Sequence, residues 1–228
     1  MFHSQNKQDE FLEKNIFKGF KNGFFIDVGA HDGVTINNTL YFSRRNNWTG
    51  INVEPIASVF EKLAVNRKTD ININCAVCNK TGFADFYDSV ITNGTNGQEM
   101  LSGLKDCYDP RHFDRLNKEI TRDGGHFNVI TVPTKKLEDI CDEYNVKHVH
   151  YLSIDVEGAE FEVIKSINFD KVFIDIVEFE NNYGQKTYQE IVDYLQEKGY
   201  LLLFVSHDIF MIHSQSQFLK NLEVVQAN

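Results

Sequence analysis

The stretch Phe24-Phe25-Ile26-Asp27-Val28-Gly29-Ala30-His31-Asp32-Gly33 narrows the folds open to this chain more than any other. Its first five residues form a short apolar run, the mark of a strand buried on both faces. The run passes straight into a loop carrying Gly29 and Gly33, where the backbone can turn tightly and approach a ligand. A strand–loop–helix corner of this kind belongs to a parallel sheet covered by helices, with ligands at the carboxyl ends of its strands.

The rest of the chain repeats that alternation. An opening helix presents Phe11, Leu12, Ile16 and Phe17 on one face, with Ser4 as its N-cap. A helix over 35–45, a strand over 50–54 and a helix opened by Pro55 follow, then strand signals over 71–77 and 83–87. Residues 88–127 hold Gly, Asn and Asp-Pro punctuation with little periodicity and read as an insert, a candidate lid over substrate. Strands over 129–132, 149–154 and 172–177 then alternate with helices around Leu137, over 160–167 and over 188–198. The runs 200–205 and 209–212 are separated by a hairpin-length link and pair antiparallel. The expectation is one α/β domain over 1–228, Rossmann-like, with a mainly parallel sheet and an antiparallel C-terminal hairpin.

With 23 Lys plus Arg against 33 Asp plus Glu, the net charge is −10, which argues against nucleic acid as a partner. No run approaches the ~20 apolar residues of a bilayer span, so no membrane insertion is expected. The first residues lack an apolar leader, which points to a cytoplasmic setting with Cys75, Cys78, Cys107 and Cys141 as reduced thiols. Nothing in the sequence sets an oligomeric state.

Three landmarks carry chemistry. Glu54 ends the second strand 21 residues beyond Gly33, the place of an acid that accepts hydrogen bonds from ribose hydroxyls. A dinucleotide site would show G-x-G-x-x-G; here Asp27 precedes the first glycine. That acid repels pyrophosphate and suits the cationic amino end of S-adenosylmethionine (SAM). The third landmark is Leu152-Ser153-Ile154-Asp155-Val156-Glu157-Gly158-Ala159-Glu160, again a strand ending in acids and a glycine. Asp155, Glu157 and Glu178, at two strand ends, are the candidate catalytic acids around the transferred methyl. One would take a hydroxyl proton, and Asp155 with Glu178 are candidates to hold a hard divalent cation, Mg or Mn. Glu160 reads as a first-turn residue favoured by the helix dipole.

These residues resemble the FkbM-type SAM-dependent methyltransferases, from about Ser4 to Tyr183. The resemblance rests on Ser4-Gln5-x-x-Gln8-Asp9, on 26–33, on Val53-Glu54-Pro55, on Asn74-Cys75-Ala76-Val77 and above all on the Asp155-x-Glu157-Gly158-x-Glu160 element. It implies a seven-stranded sheet, SAM as cofactor, and O-methylation of hydroxyls on sugars or other small polar molecules. It also implies that Ala76 and Val77 flank the adenine and that Gln5 and Asp9 close over the cofactor. Many members carry Lys where Ser153 stands. The expected cofactor wall is thus Gln5, Asp9, Asp27, Gly29, Ala30, His31, Asp32, Gly33, Glu54, Pro55, Ala76, Val77, Ser102 and Asp155. Other readings of the same pattern are an RNA 2′-O-methyltransferase, a nucleotide-binding oxidoreductase and a non-catalytic module.

Overall fold

The computed structural model describes residues 1–93, 100–182 and 185–223. The Asn-Gly punctuation at 94–97 and Tyr183, where the family resemblance ends, lie outside the described residues. The main sheet has seven strands. They are β1 (Phe24–Val28), β2 (Thr49–Val53), β3 (Ile71–Ile73), β8 (His148–Ile154), β9 (Phe173–Glu180), β10 (Tyr200–Val205) and β11 (Asp208–His213). Their spatial order is β10-β11-β9-β8-β1-β2-β3. Neighbours from β9 to β3 run parallel, while β11 lies antiparallel between β9 and β10. This is the Rossmann-like arrangement with a C-terminal antiparallel hairpin read from the alternation.

Each face of the sheet has its own core, because strands buried on both faces alternate apolar side chains up and down. One face joins Ile26, Val53, Leu152 and Val177 to the helices α5 (Leu137–Glu143), α6 (Glu160–Lys165) and α7 (Gln185–Glu197). The other is aromatic: Phe25, Tyr151 and Phe210 meet Phe17, Phe42 and Trp48. Its cover comes from α1 (Gln8–Phe11), the wider π-helical turn Leu12–Phe17 that continues it, and α2 (Leu40–Asn46). The Trp48 indole donates to Phe20 O at 2.9 Å, which lets its polar edge stay buried.

At the amino edge of the sheet, Asp175 accepts from Ser216 Oγ at 2.5 Å and meets His148 Nε2 at 2.6 Å. His150 beside it accepts the Phe24 amide on Nδ1, so its hydrogen sits on Nε2. These bonds tie β8 to β1 and β9 at that edge.

Several local expectations give way. The helix expected from 35 begins only at Leu40, because the Asn37 side-chain oxygen accepts from Thr39 N and Leu40 N and turns 31–39 into a loop. Ser4 does not cap the first helix, which starts at Gln8 after a left-handed Lys7; its hydroxyl pairs with Asp9 instead. The run 71–77 divides at Asn74, whose amide donates to Glu54 O and Pro55 O and redirects the chain. Beyond it, β4 (Ala76–Val77) joins a second sheet of order β4-β7-β5-β6 with β5 (Gly82–Ile91), β6 (Gly103–Leu104) and β7 (Gly125–Lys135). The 88–127 insert is accordingly less irregular than its composition suggests. It continues β5, then builds β6, a short 3-10 turn, helix α4 (Pro110–Asp123) and the start of β7. Asp109 caps α4 through the Arg111 amide, and Pro110 occupies its first turn. Among the described residues, no helix is long and apolar enough to cross a membrane.

Trp48 anchors the aromatic core, so Trp48→Ala is expected to cost about 3–5 kcal/mol of stability. Urea denaturation read against an unchanged slope checks this value.

Candidate active site

The site grows from the carboxyl ends of β1, β2 and β8. Gly29, at φ +87°, lies against the backbone of Asp155 so closely that an added Cβ would stand 1.8 Å from Asp155 O. Asp155 N donates to Val28 O at 3.0 Å, and Gly29 N and Ala30 N both donate to Val53 O at 3.0 Å. Three strand ends are thus sewn together before any side chain takes part.

The loop 31–39 is held by a buried guanidinium from the end of α3 (Ala57–Asn66). Arg67 donates to Gly33 O, Asn37 Oδ1 and Thr39 Oγ1 at 3.0–3.2 Å and to Asp70 at 2.8 Å. Asn37 and Thr39 in turn donate to Asp27 Oδ2 at 2.8 and 2.9 Å. Burial raises the Asp27 pKa, against the pull of Arg67 and these two donors. In Asp32 burial acts the same way but is overcome by hydrogen bonds from His31, Thr35 and Val34, which hold its carboxyl well below the usual range. Ile36 sits at φ +43°, a strained conformation for a β-branched residue, on the wall of the cavity this loop frames.

That cavity measures about 490 Å³. Of the expected cofactor residues, Gln5, Asp27, Gly29, Ala30, His31, Glu54, Pro55, Ala76, Val77, Ser102 and Asp155 line it, together with Glu157. Glu54 is buried, and its Oε1 accepts from Ile56 N at 2.8 Å. Ser102 Oγ accepts from Ser89 N at 3.0 Å, tying the wall to β5.

Four expected residues stand behind the wall. Asp32 is turned into the 32–35 loop. Gly33 packs on Leu63 and Arg67. Asp9 is fully buried and accepts from His3 N at 2.5 Å and Ser4 Oγ at 2.6 Å, so it fastens the segment that carries Gln5 and contributes no wall of its own. Glu178 lies two residues inside β9, buried, and accepts the Tyr151 hydroxyl.

The acids that do meet are Asp155, Glu157 and Glu180, whose ligand oxygens all lie within 4.8 Å of one another. The divalent-cation pair expected from the sequence, Asp155 with Glu178, is therefore not the group the fold assembles; the strand must end before its acid can turn into the cavity. Asn182 Nδ2 bridges the cluster, donating to Glu157 at 3.0 Å and Glu180 at 2.5 Å. His112, fully buried on α4, stands 3.2 Å from Glu157 Oε2 and is pushed down to about 4 by burial, so it is a neutral imidazole. Glu157 holds a left-handed backbone at φ +56°.

Asp155 opens into the cavity while protein crowds its other sides. That desolvation, with Asp208 and Glu160 nearby, pushes its pKa up to about 7. Glu157 and Glu180 are raised well above the usual range, by burial first and by the neighbouring carboxylates second.

Other wall residues escape sequence reading. Gln8 reaches Asp208 at 2.7 Å across the chain, and Asn38 donates to Ser153 Oγ at 3.1 Å. On α4, Arg115, Glu119 and Arg122 face the cavity at helical spacing. The Asp109-Pro110 pair, a cap followed by a first-turn proline, was the signal that could have revealed that helix.

Two outcomes are expected. Gly29→Ala forces a Cβ into the Asp155 carbonyl at positive φ, so it should cost at least about 2 kcal/mol and lower the midpoint of thermal unfolding. Asp155 binds its proton more tightly folded than unfolded, so stability should fall as pH rises from about 4 to about 7. Asp155→Asn should flatten that part of a denaturation-versus-pH profile.

Comparison with known proteins gives the chain's family. Residues 27–202, well over half of the chain, match the family model "Methyltransferase FkbM domain". The FkbM methyltransferase structure from Methylobacillus flagellatus KT shares 13% identity at a TM-score of 0.50, covering 84% of this chain. This chain spans 44% of the length of that protein. The precorrin-6y C5,15-methyltransferase from Geobacter metallireducens GS-15 shares 10% identity at a TM-score of 0.43, over 91% of this chain and 86% of its own. Among curated proteins none matches. On the family match, this chain belongs to the FkbM methyltransferase domain family.

Proposed function

We propose that this chain transfers the methyl group of SAM to a hydroxyl oxygen on a carbohydrate or similar small polar acceptor. The observation that carries the reading is the charge of the cavity wall: among the described residues it holds eight acids, two arginines and no lysine. Such a wall is unsuited to the pyrophosphate of a dinucleotide and suited to a ligand bearing a sulfonium and an ammonium. The volume is in the range that small-molecule ligands fill, and Glu54 at the end of β2 supplies the acceptor a ribose needs.

SAM brings the electrophilic methyl; the chain's residues orient the reactants and take up the proton. Asp155, poised near neutrality, suits a general base for the acceptor hydroxyl. Glu157 and Glu180, bridged by Asn182, hold further acid–base capacity beside it. Asn182 donates to one oxygen of each; these carboxyls are assigned to proton transfer, and activity is expected to survive EDTA.

Titration calorimetry with SAM, S-adenosylhomocysteine and NAD is the first test, followed by transfer of labelled methyl to a panel of glycans. Binding of NAD in place of SAM would overturn the reading. Glu54→Ala should weaken S-adenosylhomocysteine binding by roughly 10- to 100-fold, the loss of a charged hydrogen-bond acceptor. Asp155→Asn should lower kcat about 10²- to 10⁴-fold. Because Asp155 ionises as pH rises through about 7, the preference for cationic SAM over uncharged-sulfur S-adenosylhomocysteine should grow across that range.

A further inference from the structure

The two edges of the main sheet are built differently. On one side β3 is three residues long and bordered by Asp70, with Asn72 inside it. A short polar edge is one of the devices by which proteins discourage strand addition. On the other side β10 is twice that length and reads Tyr200-Leu201-Leu202-Leu203-Phe204-Val205, without a charge or a proline; its one side-chain polar group, the Tyr200 hydroxyl, is buried and donates to Ile174 O at 2.9 Å. Its inner edge bonds to β11, and its outer edge has no strand partner among the described residues. Leu201, Leu202, Phe204 and Val205 are 41–47% exposed. They account for four of the nine large apolar residues exposed on the described chain, concentrated on one strand.

An edge of this kind specifies the chemistry of what covers it. The outward amides and carbonyls of β10 are best satisfied by another extended backbone, and its side chains by apolar ones. A second β10 meets both requirements. Antiparallel pairing about a twofold axis makes each strand the partner of its own copy, and an uncharged strand meets no like charge across that axis. A protein of net charge −10 would find self-association opposed at most of its surface; β10 is free of that penalty. A register shift between Leu202 and Phe204 marks a bulge that divides the edge into two short pairing segments. Four half-exposed side chains and a divided edge make a contact at the small end of specific interfaces, so the association is weak.

We infer that this chain forms a twofold homodimer through antiparallel β10–β10 pairing, joining the two main sheets edge to edge. Sedimentation velocity on the full chain from about 1 to 200 μM tests it, with dissociation expected on the order of 10 μM. Leu202→Lys should leave a monomer throughout that range, with far-UV circular dichroism unchanged. Val65→Lys, at an exposed apolar residue of α3 away from the sheet edge, should dimerise like the unaltered chain. Hydrogen exchange on the unaltered chain adds a test free of folding effects: amides of β10 should gain protection with concentration while those of β3 do not. The inference fails if the unaltered chain is monomeric at every concentration. It fails equally if Leu202→Lys dimerises as before, if Val65→Lys is also monomeric, or if concentration-dependent protection appears away from β10.

Discussion

Adjacent parallel strands deliver their loops to the same carboxyl edge, and two backbones can meet there only if one of them carries no side chain. Gly29 meets that condition against Asp155 O. The contact places the glycine corner after β1 beside the acid corner after β8, and the bonds from Gly29 and Ala30 to Val53 O bring the end of β2 to the same place. Everything on the cavity wall inherits its position from these backbone contacts. Glu54 follows Val53 by one residue, and Asp155 is itself half of the contact. The loop 31–39 is set by Arg67, whose guanidinium bonds to residues that also support Asp27. The site is therefore rigid at its floor, where geometry controls reactivity.

What could be read from the chain beforehand follows from how local each signal is. The strand–glycine corner, Glu54 after β2 and the acid-glycine corner at Asp155 are encoded in consecutive residues, so pattern alone finds them. Glu178 and Glu180 show where that reading stops. They stand two apart on one strand, and only the point at which β9 ends decides which of them reaches the cavity. Asp9 and Asp32 lie close to the site in sequence, yet their carboxylates are consumed by neighbouring amides and hydroxyls. Composition does not disclose such local hydrogen-bond capture.

The second sheet was hidden for a different reason. β5 and β7 pair along ten residues across an intervening helix, and β4 reaches β7 from the far side of a turn. The strand signals at 83–87 and 129–132 are parts of β5 and β7, but a pairing of that sequence separation leaves no local mark of which strand meets which. Among the described residues, the Asp109-Pro110 pair that resembles loop punctuation opens α4, and Gly124 closes it. This added layer carries Ser102, Arg115 and Glu119 to the wall and sets buried His112 against Glu157, so the outer half of the cavity depends on contacts between the two sheets.

The acid excess of the cavity has a cost that explains its protonation. Burial first and neighbouring carboxylates second raise Asp155, Glu157 and Glu180, with Asp208 and Glu160 the charges that act on Asp155. Among the described residues the wall holds no lysine, and Arg115, paired to Glu119, offsets the burial of Glu157 only in part. A cation entering the cavity lowers the cost of ionisation, and a ligand that loses its positive charge restores it. On the proposed reaction, SAM enters with a sulfonium and leaves as a neutral thioether. The same acids would then hold the cofactor more tightly than its product, and the charge that stabilises binding would disappear in the step that completes transfer.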